Sequence, residues 1–255
     1  MAPIIELDSP TPGAIDGRHI RAISFQEVRL TYVVSTLRRL GIDPAGCSAL
    51  VIGSGRGLLA RGLAGLGCRV VALDPSAEAT GLAREAARGE AVEYATASAE
   101  QPGRYGETFD IVYCADTFEI TDDLDGVLAQ VSRLLRPDGV LCYDTVNRTP
   151  ISRLVYLVAF QSLPFTRIMP RGRYTAARLR TPGEVAATLT AHGLRGDNIC
   201  SFKPGKIRDL VRAVRARRRG TITDPEIPAL TGFVLEPEGK PVVTYLGCAR
   251  HREAP

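Results

Sequence analysis

Residues 49–63 read ALVIGSGRGLLARGL, and this stretch decides the fold. Ala49 to Ile52 form an apolar run, Gly53 to Gly57 a glycine-rich turn, and Leu58 opens an apolar, helix-like stretch. The pattern is strand, tight turn, helix. Such a turn offers backbone N–H groups and the positive end of a helix dipole to a ligand. A dinucleotide site calls for G-x-G-x-x-G, but here the sixth position is Leu58 and the third glycine comes one place early, at Gly57. The Walker lysine pattern is also absent. Both pyrophosphate readings therefore weaken, and a nucleoside without phosphates suits the turn better. Asp74 strengthens that choice. It ends the next apolar run, CRVVALD, 21 residues after Gly53, where a carboxylate can accept both ribose hydroxyls in charge-assisted bonds. The plainer alternative is that Asp74 caps the helix that follows.

Working outward, the same alternation continues. PSAEATGLAREAARG reads as a helix with Ser76 as N-cap, AVEYAT as a third strand and FDIVYCA as a fourth. In DDLDGVLAQVSRLLRPDG, Leu124, Val127, Leu128, Val131, Leu134 and Leu135 share one helical face, and GVLCYDTV is a fifth strand. Upstream, FQEVRLTYVVSTLRRLG is helical and Gly41 suits its C-terminal cap, while residues 1–20 are rich in Pro and Gly and read as an irregular start. Apolar strands alternating with helices imply an α/β, doubly wound, mostly parallel sheet covered on both faces. Ligands of such sheets lie at the carboxyl ends of the strands, where Asp74, Asp116 and Glu119 fall. Past residue 147 the alternation breaks into an inserted segment. It resumes with a helix at TPGEVAATLTAHG, a strand near Arg195–Phe202, a basic helix near Lys206–Arg219 and a last strand near Val242–Cys248. A single domain over 1–255 follows, with an N-terminal helical lead-in at 1–45 and a substrate-side insert at 148–180.

The chain has 255 residues, 45% hydrophobic and 24% charged, as expected of an ordinary soluble globule with a full core. Its net charge of +4 is modest, and the basic residues lack interleaved aromatics, which argues against nucleic acid as partner. The six cysteines are widely spaced without CxxC, so buried free thiols in a reducing, cytoplasmic setting are expected, and no metal site. The N-terminus has neither a signal-peptide pattern nor a membrane span, and the apolar run Leu154–Phe160 is too short to cross a bilayer.

At this point VIGSGRG, VVALDPS and FDIVYCADTFE together resemble a class I S-adenosylmethionine-dependent methyltransferase over roughly residues 25–200. EVRLTYV, VSRLLRPDGVLCYDTVNRTP and MPRGRY are more specific, and resemble the ubiquinone-biosynthesis O-methyltransferases. The resemblance implies S-adenosylmethionine as cofactor. It implies Arg29 at the cofactor carboxylate and Gly53, Ser54 and Gly55 along the methionine part. Asp74 would take the ribose with Pro75 beside it, Ser98 and Ala99 would lie near the adenine, and Ala115 and Asp116 would close the site. Two departures stand out. The family usually has an acid two residues before the first glycine, where this chain has Val51, and a Glu-His pair after the fourth strand, where it has Glu119 and Ile120. The second departure makes a divalent metal doubtful.

Methyl transfer needs a nucleophile held in line with the sulfonium–methyl bond, and alignment alone lowers the barrier by roughly 7–11 kcal/mol. A phenol is only about one part in a thousand ionised at pH 7, so a base helps. Asp116 and Glu119, three apart at the strand ends, are the candidate carboxylates, and His19 is the candidate imidazole. The acceptor implied is an aromatic or quinol-like hydroxyl. N- or C-methylation, or a cofactor-binding protein that catalyses cyclisation or isomerisation, are the alternatives left open by the cofactor pattern. The insert at 151–169 and the basic amphipathic helix at 206–219 suggest a hydrophobic acceptor pocket and peripheral contact with the inner face of a membrane.

Overall fold

The computed structural model describes residues 3–87, 89–102 and 107–252. Chain order is α1 (Gly17–Leu40), β1 (Ser48–Ile52), α2 (Leu58–Gly65), β2 (Arg69–Asp74), α3 (Ala77–Ala86), β3 (Val92–Thr96), β4 (Phe109–Cys114), α4 (Leu124–Leu134) and β5 (Leu135–Val146). The insert carries a short turn of helix, α5 (Pro150–Ser152), that widens into π-type turns over Arg153–Ala159. Then come α6 (Pro182–Ala191), β6 (Leu194–Pro204), α7 (Ile207–Arg219), α8 (Ile227–Thr231), β7 (Phe233–Glu236) and β8 (Thr244–His251). The strands form one sheet in the order β3-β2-β1-β4-β5-β8-β6-β7. The first four pairings along it are parallel and the last three antiparallel.

Every residue of β1 is buried, because both faces of the sheet are covered. Its side chains alternate between two cores, as a period of two requires. Ala49 and Val51 join Val28, Leu37, Leu59 and Leu63 of α1 and α2. Leu50 and Ile52 join Val127, Leu128, Val131 and Leu189 of α4 and α6 on the other face. A third cluster holds Ile15, Ile20, Val146, Tyr156, Met169 and Val214, so the lead-in, α1, the insert and α7 pack together near the carboxyl end of β5.

One expectation is corrected here. Residues 1–20 are not all irregular: α1 begins at Gly17, with Asp16 as N-cap accepting from the His19 N–H at 3.0 Å. Over this first stretch the apolar period is hidden because Arg18 and Arg21 are buried through ion pairs instead of apolar contact. The short edge strand β7 was also not foreseen, since FVLE is only four residues long and partly exposed. All six cysteines are unpaired and five are buried.

Candidate active site

Gly53 opens the turn with φ +76°, a left-handed conformation that favours glycine. A Cβ there would collide with the Ala115 carbonyl and sit 2.7 Å from the Thr117 hydroxyl, so the β1 and β4 ends approach each other more closely than any side chain allows. The Gly53 and Ser54 N–H groups both donate to the Leu73 carbonyl at 2.9 Å, which hangs the turn over the end of β2. The Gly55 N–H donates to Asp74 Oδ2 at 2.7 Å.

Asp74 is fully buried and ends β2, as the sequence implied. The Ser76 N–H also donates to its Oδ1 at 3.0 Å. Its main partner was not anticipated. Arg18, from the first turn of α1, grips both carboxylate oxygens through Nη1 and Nη2, and Nη1 also reaches Asp8 at 3.0 Å. Burial works against the Arg18 charge; Asp74 and then Asp8 overcome it and raise the guanidinium pKa further. The lead-in is fastened beside this pair. Arg56 of the glycine turn holds Asp16 at 2.8 Å and the Ser9 carbonyl, while Arg217 of α7 holds Asp224 and the Gly13 and Ala14 carbonyls. The resulting cleft is lined by Arg18, His19, Arg29, Gly53, Ser54 and Asp116 among others, and has only about 20 Å³ of space. A ligand of nucleoside size needs roughly 300 Å³ or more.

Five charged groups form a second buried cluster just inside. Arg29 bonds Asp144 at 2.7 Å and lies 2.8 Å from Asp116. Arg21 reaches Glu119 at 2.8 Å, contacts Asp116, and stands 3.8 Å from Asp144. Three carboxylates thus face two guanidiniums. Burial pushes the Asp144 pKa up to about 7; Arg29 opposes this, while Asp116 and Glu119 add to it. Glu119 also moves up, by burial first, with Asp116 adding and Arg21 opposing. Asp116 goes the other way: burial would raise it, but Arg21 and Arg29 together hold it below the usual carboxylate range. The directions agree with the charge count, since one proton taken up by Asp144 or Glu119 leaves the remaining charges balanced. Asp116 also has φ +48°, a left-handed conformation uncommon for a non-glycine residue.

The other expected site residues fall in two groups. Arg29, Gly53, Ser54, Gly55, Ala115, Asp116 and His19 line one cleft. Its imidazole pKa is lowered, by burial and then by Arg56, and Nδ1 is buried without a partner. Pro75 is exposed at the start of the β2–α3 turn. Ser98 and Ala99 follow β3 outside that cleft, with Ser98 Oγ accepting from the Gln101 N–H at 3.2 Å and Ala99 resting on the second core. Among the described residues no group of three or more His, Cys, Asp or Glu side chains is disposed to hold a metal ion.

On the far side of Arg21 lies a cavity of about 440 Å³. Phe25, Val155, Tyr156, Phe160, Ile168 and Phe202 are among the apolar side chains that line it, and Arg21 also lies on its wall. It is large enough for a small aromatic molecule.

The methyltransferase domain family matches residues 50–143. The ubiquinone biosynthesis O-methyltransferase of Rhizobium rhizogenes is 35% identical over 179 residues, covering 67% of this chain and 71% of that protein. The protein of the same name from Agrobacterium fabrum is 31% identical over the same length. The chain belongs to this family. It is an S-adenosylmethionine-dependent methyltransferase. Solved structures agree on the fold. An S-adenosylmethionine-dependent methyltransferase from Clostridium acetobutylicum gives a TM-score of 0.64 at 13% identity, covering 92% of this chain and 95% of that one. Magnesium protoporphyrin IX methyltransferase from Synechocystis gives 0.57 at 15% identity, covering 93% and 85%.

The methyltransferase has the donor set an adenosyl ligand calls for: a glycine cradle that a Cβ would fill, a carboxylate at the end of β2, and a buried arginine at the glycine turn. Sequence reading missed Arg18, Arg21 and Asp144. Arg18 lies in the stretch 1–20 that reads as irregular, Arg21 falls between that stretch and the helix read from Phe25, and Asp144 sits inside an apolar strand, where a lone acid is itself the signal. Among the described residues, no helix of the methyltransferase is long and apolar enough to cross a membrane.

Proposed function

We propose that this methyltransferase methylates a hydroxyl of an aromatic, hydrophobic acceptor seated in the 440 Å³ cavity. The observation that carries the reading is the placement of Arg21, which lines the apolar cavity and also pairs with Glu119 and Asp116 beside the glycine turn. Lys203, Glu236 and Lys240 are the other charged residues that line it. The quinol-like character of the acceptor is supported by the names of the relatives, which are ubiquinone biosynthesis enzymes.

S-adenosylmethionine supplies a methyl group made electrophilic by its sulfonium. The chain's own residues do the rest. Gly53, Ser54 and Gly55 provide the close backbone surface, Asp74 the acceptor for the sugar hydroxyls, and Arg29 a cation for the ligand carboxylate. Ala115 and Asp116 close the inner wall, and Pro75, Ser98 and Ala99 flank the adenine side. Arg18 must first release Asp74. His19, neutral and with an unpartnered Nδ1, lines the cofactor side and is a secondary candidate base. Glu119, fully buried and bonded by the Thr145 hydroxyl at 3.0 Å, is the primary one.

Residues 1–255 are read as one methyltransferase domain, in which the lead-in and the insert flank the strand ends. The insert and α7 expose Leu154 (61%), Phe165 (76%) and Ile207 (71%), and Ile151 and Ile207 also line the cavity. Arg153 adjoins Leu154 in sequence, and Arg208 and Arg212 are exposed on α7 with Ile207. This combination supports peripheral contact with an anionic membrane at its cytoplasmic face, by which a lipid-soluble acceptor reaches the cavity.

The test is transfer of labelled methyl from S-adenosylmethionine to a series of phenols with and without an alkyl tail. Extractable methyl ether, with higher kcat/KM for the tailed phenols, supports the reading. Label appearing only on amines or carbon, or S-adenosylmethionine bound with no S-adenosylhomocysteine formed, overturns it. Sedimentation with phosphatidylglycerol vesicles but not phosphatidylcholine vesicles checks the membrane contact.

A further inference from the structure

The charge of the cofactor cleft is opposite in sign to that of the whole chain, which carries +4. At the glycine turn Asp74 and Asp8 share one guanidinium, Arg18, while Arg56 beside them is matched by Asp16. In the inner cluster Asp116, Glu119 and Asp144 share two guanidiniums, Arg21 and Arg29. Each group therefore has one carboxylate more than it has guanidiniums. The first excess is met by hydrogen bonds, since Asp74 also accepts from the Gly55 and Ser76 N–H groups. The second lies deeper. The Glu119 and Asp144 side chains are fully buried, and beyond the guanidiniums they meet the neutral hydroxyls of Thr145 at 3.0 Å and Tyr113 at 3.1 Å. A buried charge without an opposite partner is costly, so the spare carboxylate calls for either a proton or a further cation.

Asp116 joins this cluster to the ligand site. Its side chain is 12% exposed and lines the cleft with Arg29, Gly53, Ser54 and Gly55. From behind it, the Asp144 carboxyl on β5 hydrogen-bonds Asp116.

Resting on the cofactor seat given above at Gly53, Ser54 and Gly55, we propose that this cluster is a proton-exchanging counter-charge for the sulfonium: Asp144 holds one proton in the free protein and in the S-adenosylhomocysteine complex, and gives it up when S-adenosylmethionine binds. The two ligands share the adenosine, the ammonium and the carboxylate, and differ by one methyl group and one positive charge. The spare carboxylate is matched by the proton in one complex and by the sulfonium in the other. Methyl transfer leaves the carbon–sulfur electron pair on sulfur as a neutral thioether, and Asp144 then takes a proton back from solvent. Affinity is thus tied to the charge that the reaction removes, which favours the methyl donor over the spent product.

The groups that face Asp144 are Arg29 of α1, Tyr113 and Cys114 of β4, and Asp116 and Glu119 after that strand. Tyr156 and Tyr174 of the insert and Tyr245 of β8 face Glu119. Burial pushes the thiol and all four phenols up, so they stay neutral near pH 7. Burial and then Arg56 lower His19, on the cleft wall, so it is neutral as well. With Asp144 neutral, Asp116 and Glu119 balance Arg21 and Arg29. Asp144, pushed up by burial to about 7, is the group left to exchange a proton near neutrality.

The test counts protons. S-adenosylmethionine and S-adenosylhomocysteine are titrated by calorimetry into the full chain, without acceptor, at pH 6.5 in two buffers of different ionisation enthalpy. This pH is below the α-amino range of about 7.7–8.0, so both ligands keep their ammonium. A further cation lowers a neighbouring carboxyl pKa by about 1–3, so S-adenosylmethionine should release about half a proton or more per site, and S-adenosylhomocysteine less than about 0.1. By linkage, affinity for S-adenosylmethionine should rise about five- to twentyfold from pH 5.5 to 7.5, and that for S-adenosylhomocysteine should change less than about twofold. Asp144→Asn should abolish the release, flatten the pH dependence, and leave S-adenosylhomocysteine affinity within about threefold of wild type. Glu119→Gln removes the same charge from the cluster and should abolish the release if Asp144→Asn does not fold. Equal proton counts for the two ligands in wild type, or a release unchanged in either variant, overturns this proposal alone. Failure of both ligands to bind overturns the cofactor seat and this proposal together.

Discussion

Substitution of Arg18 should tighten cofactor binding while it destabilises the fold. The guanidinium occupies both oxygens of Asp74, the carboxylate assigned to the sugar hydroxyls. Those oxygens keep the Gly55 and Ser76 N–H groups as further partners, so Asp74 remains hydrogen-bonded when Arg18 leaves. A hydrogen bond to a charged group contributes roughly 1.5–3 kcal/mol. If the ligand must displace one such contact, its apparent affinity is reduced by the fraction of molecules in which the contact is open. At about 1.4 kcal/mol per factor of ten, Arg18→Gln should bind S-adenosylhomocysteine about ten- to a hundredfold more tightly. The same change removes the partner of two buried carboxylates, Asp74 and Asp8, and should cost about 3–5 kcal/mol, on the order of 10 °C in Tm. Isothermal titration gives the affinity and calorimetric melting the stability. Affinity equal to or below wild type would refute the reasoning, because it would mean that Arg18 does not compete with the ligand for Asp74.

Two further outcomes follow from the buried groups. Asp144 has its folded pKa raised to about 7, so the folded chain binds more protons than the unfolded one between about pH 4 and 7. Stability from this group is therefore present below about pH 4 and lost as pH rises through 7. Urea unfolding at pH 5, 6 and 7 should show a fall of about 2 kcal/mol that Asp144→Asn removes, and a fall unchanged in Asp144→Asn would contradict the assignment. At the position where the family usually has an acid, Val51 is fully buried in β1, with Ala72 and Tyr113 as its neighbours in register. Val51→Asp should lower stability by several kcal/mol and leave the affinity for S-adenosylhomocysteine no better; a stable variant with tighter binding would show that the glycine turn lacks a buttress.

The parts of the fold and site that the sequence made legible are those written in apolar period and backbone need. The glycine turn, Asp74 at the end of β2 and the face shared by Val127, Leu128 and Val131 all follow from that code. The start of α1 did not, because its inward positions Arg18 and Arg21 are arginines, and the physics that buries them is pairing with acids 56 and 98 residues away. Period analysis reads such positions as solvated. For the same reason the closure of the cofactor cleft was invisible: Gly55, Asp74 and Arg18 could be listed singly, but the competition for one carboxylate exists only in three dimensions. Arg217 makes the same point, since it counts as part of a basic face in sequence and is buried against Asp224 in the fold.

The central claim is that Asp74 holds the sugar of an adenosyl ligand at the turn formed by Gly53, Ser54 and Gly55. It is tested most directly where Arg18 no longer competes, by titrating S-adenosylhomocysteine into Arg18→Gln and into the double variant Arg18→Gln, Asp74→Ala. A loss of tenfold or more on removing the carboxylate is the result expected from its charge-assisted bonds. Equal affinity in the two proteins would contradict the claim.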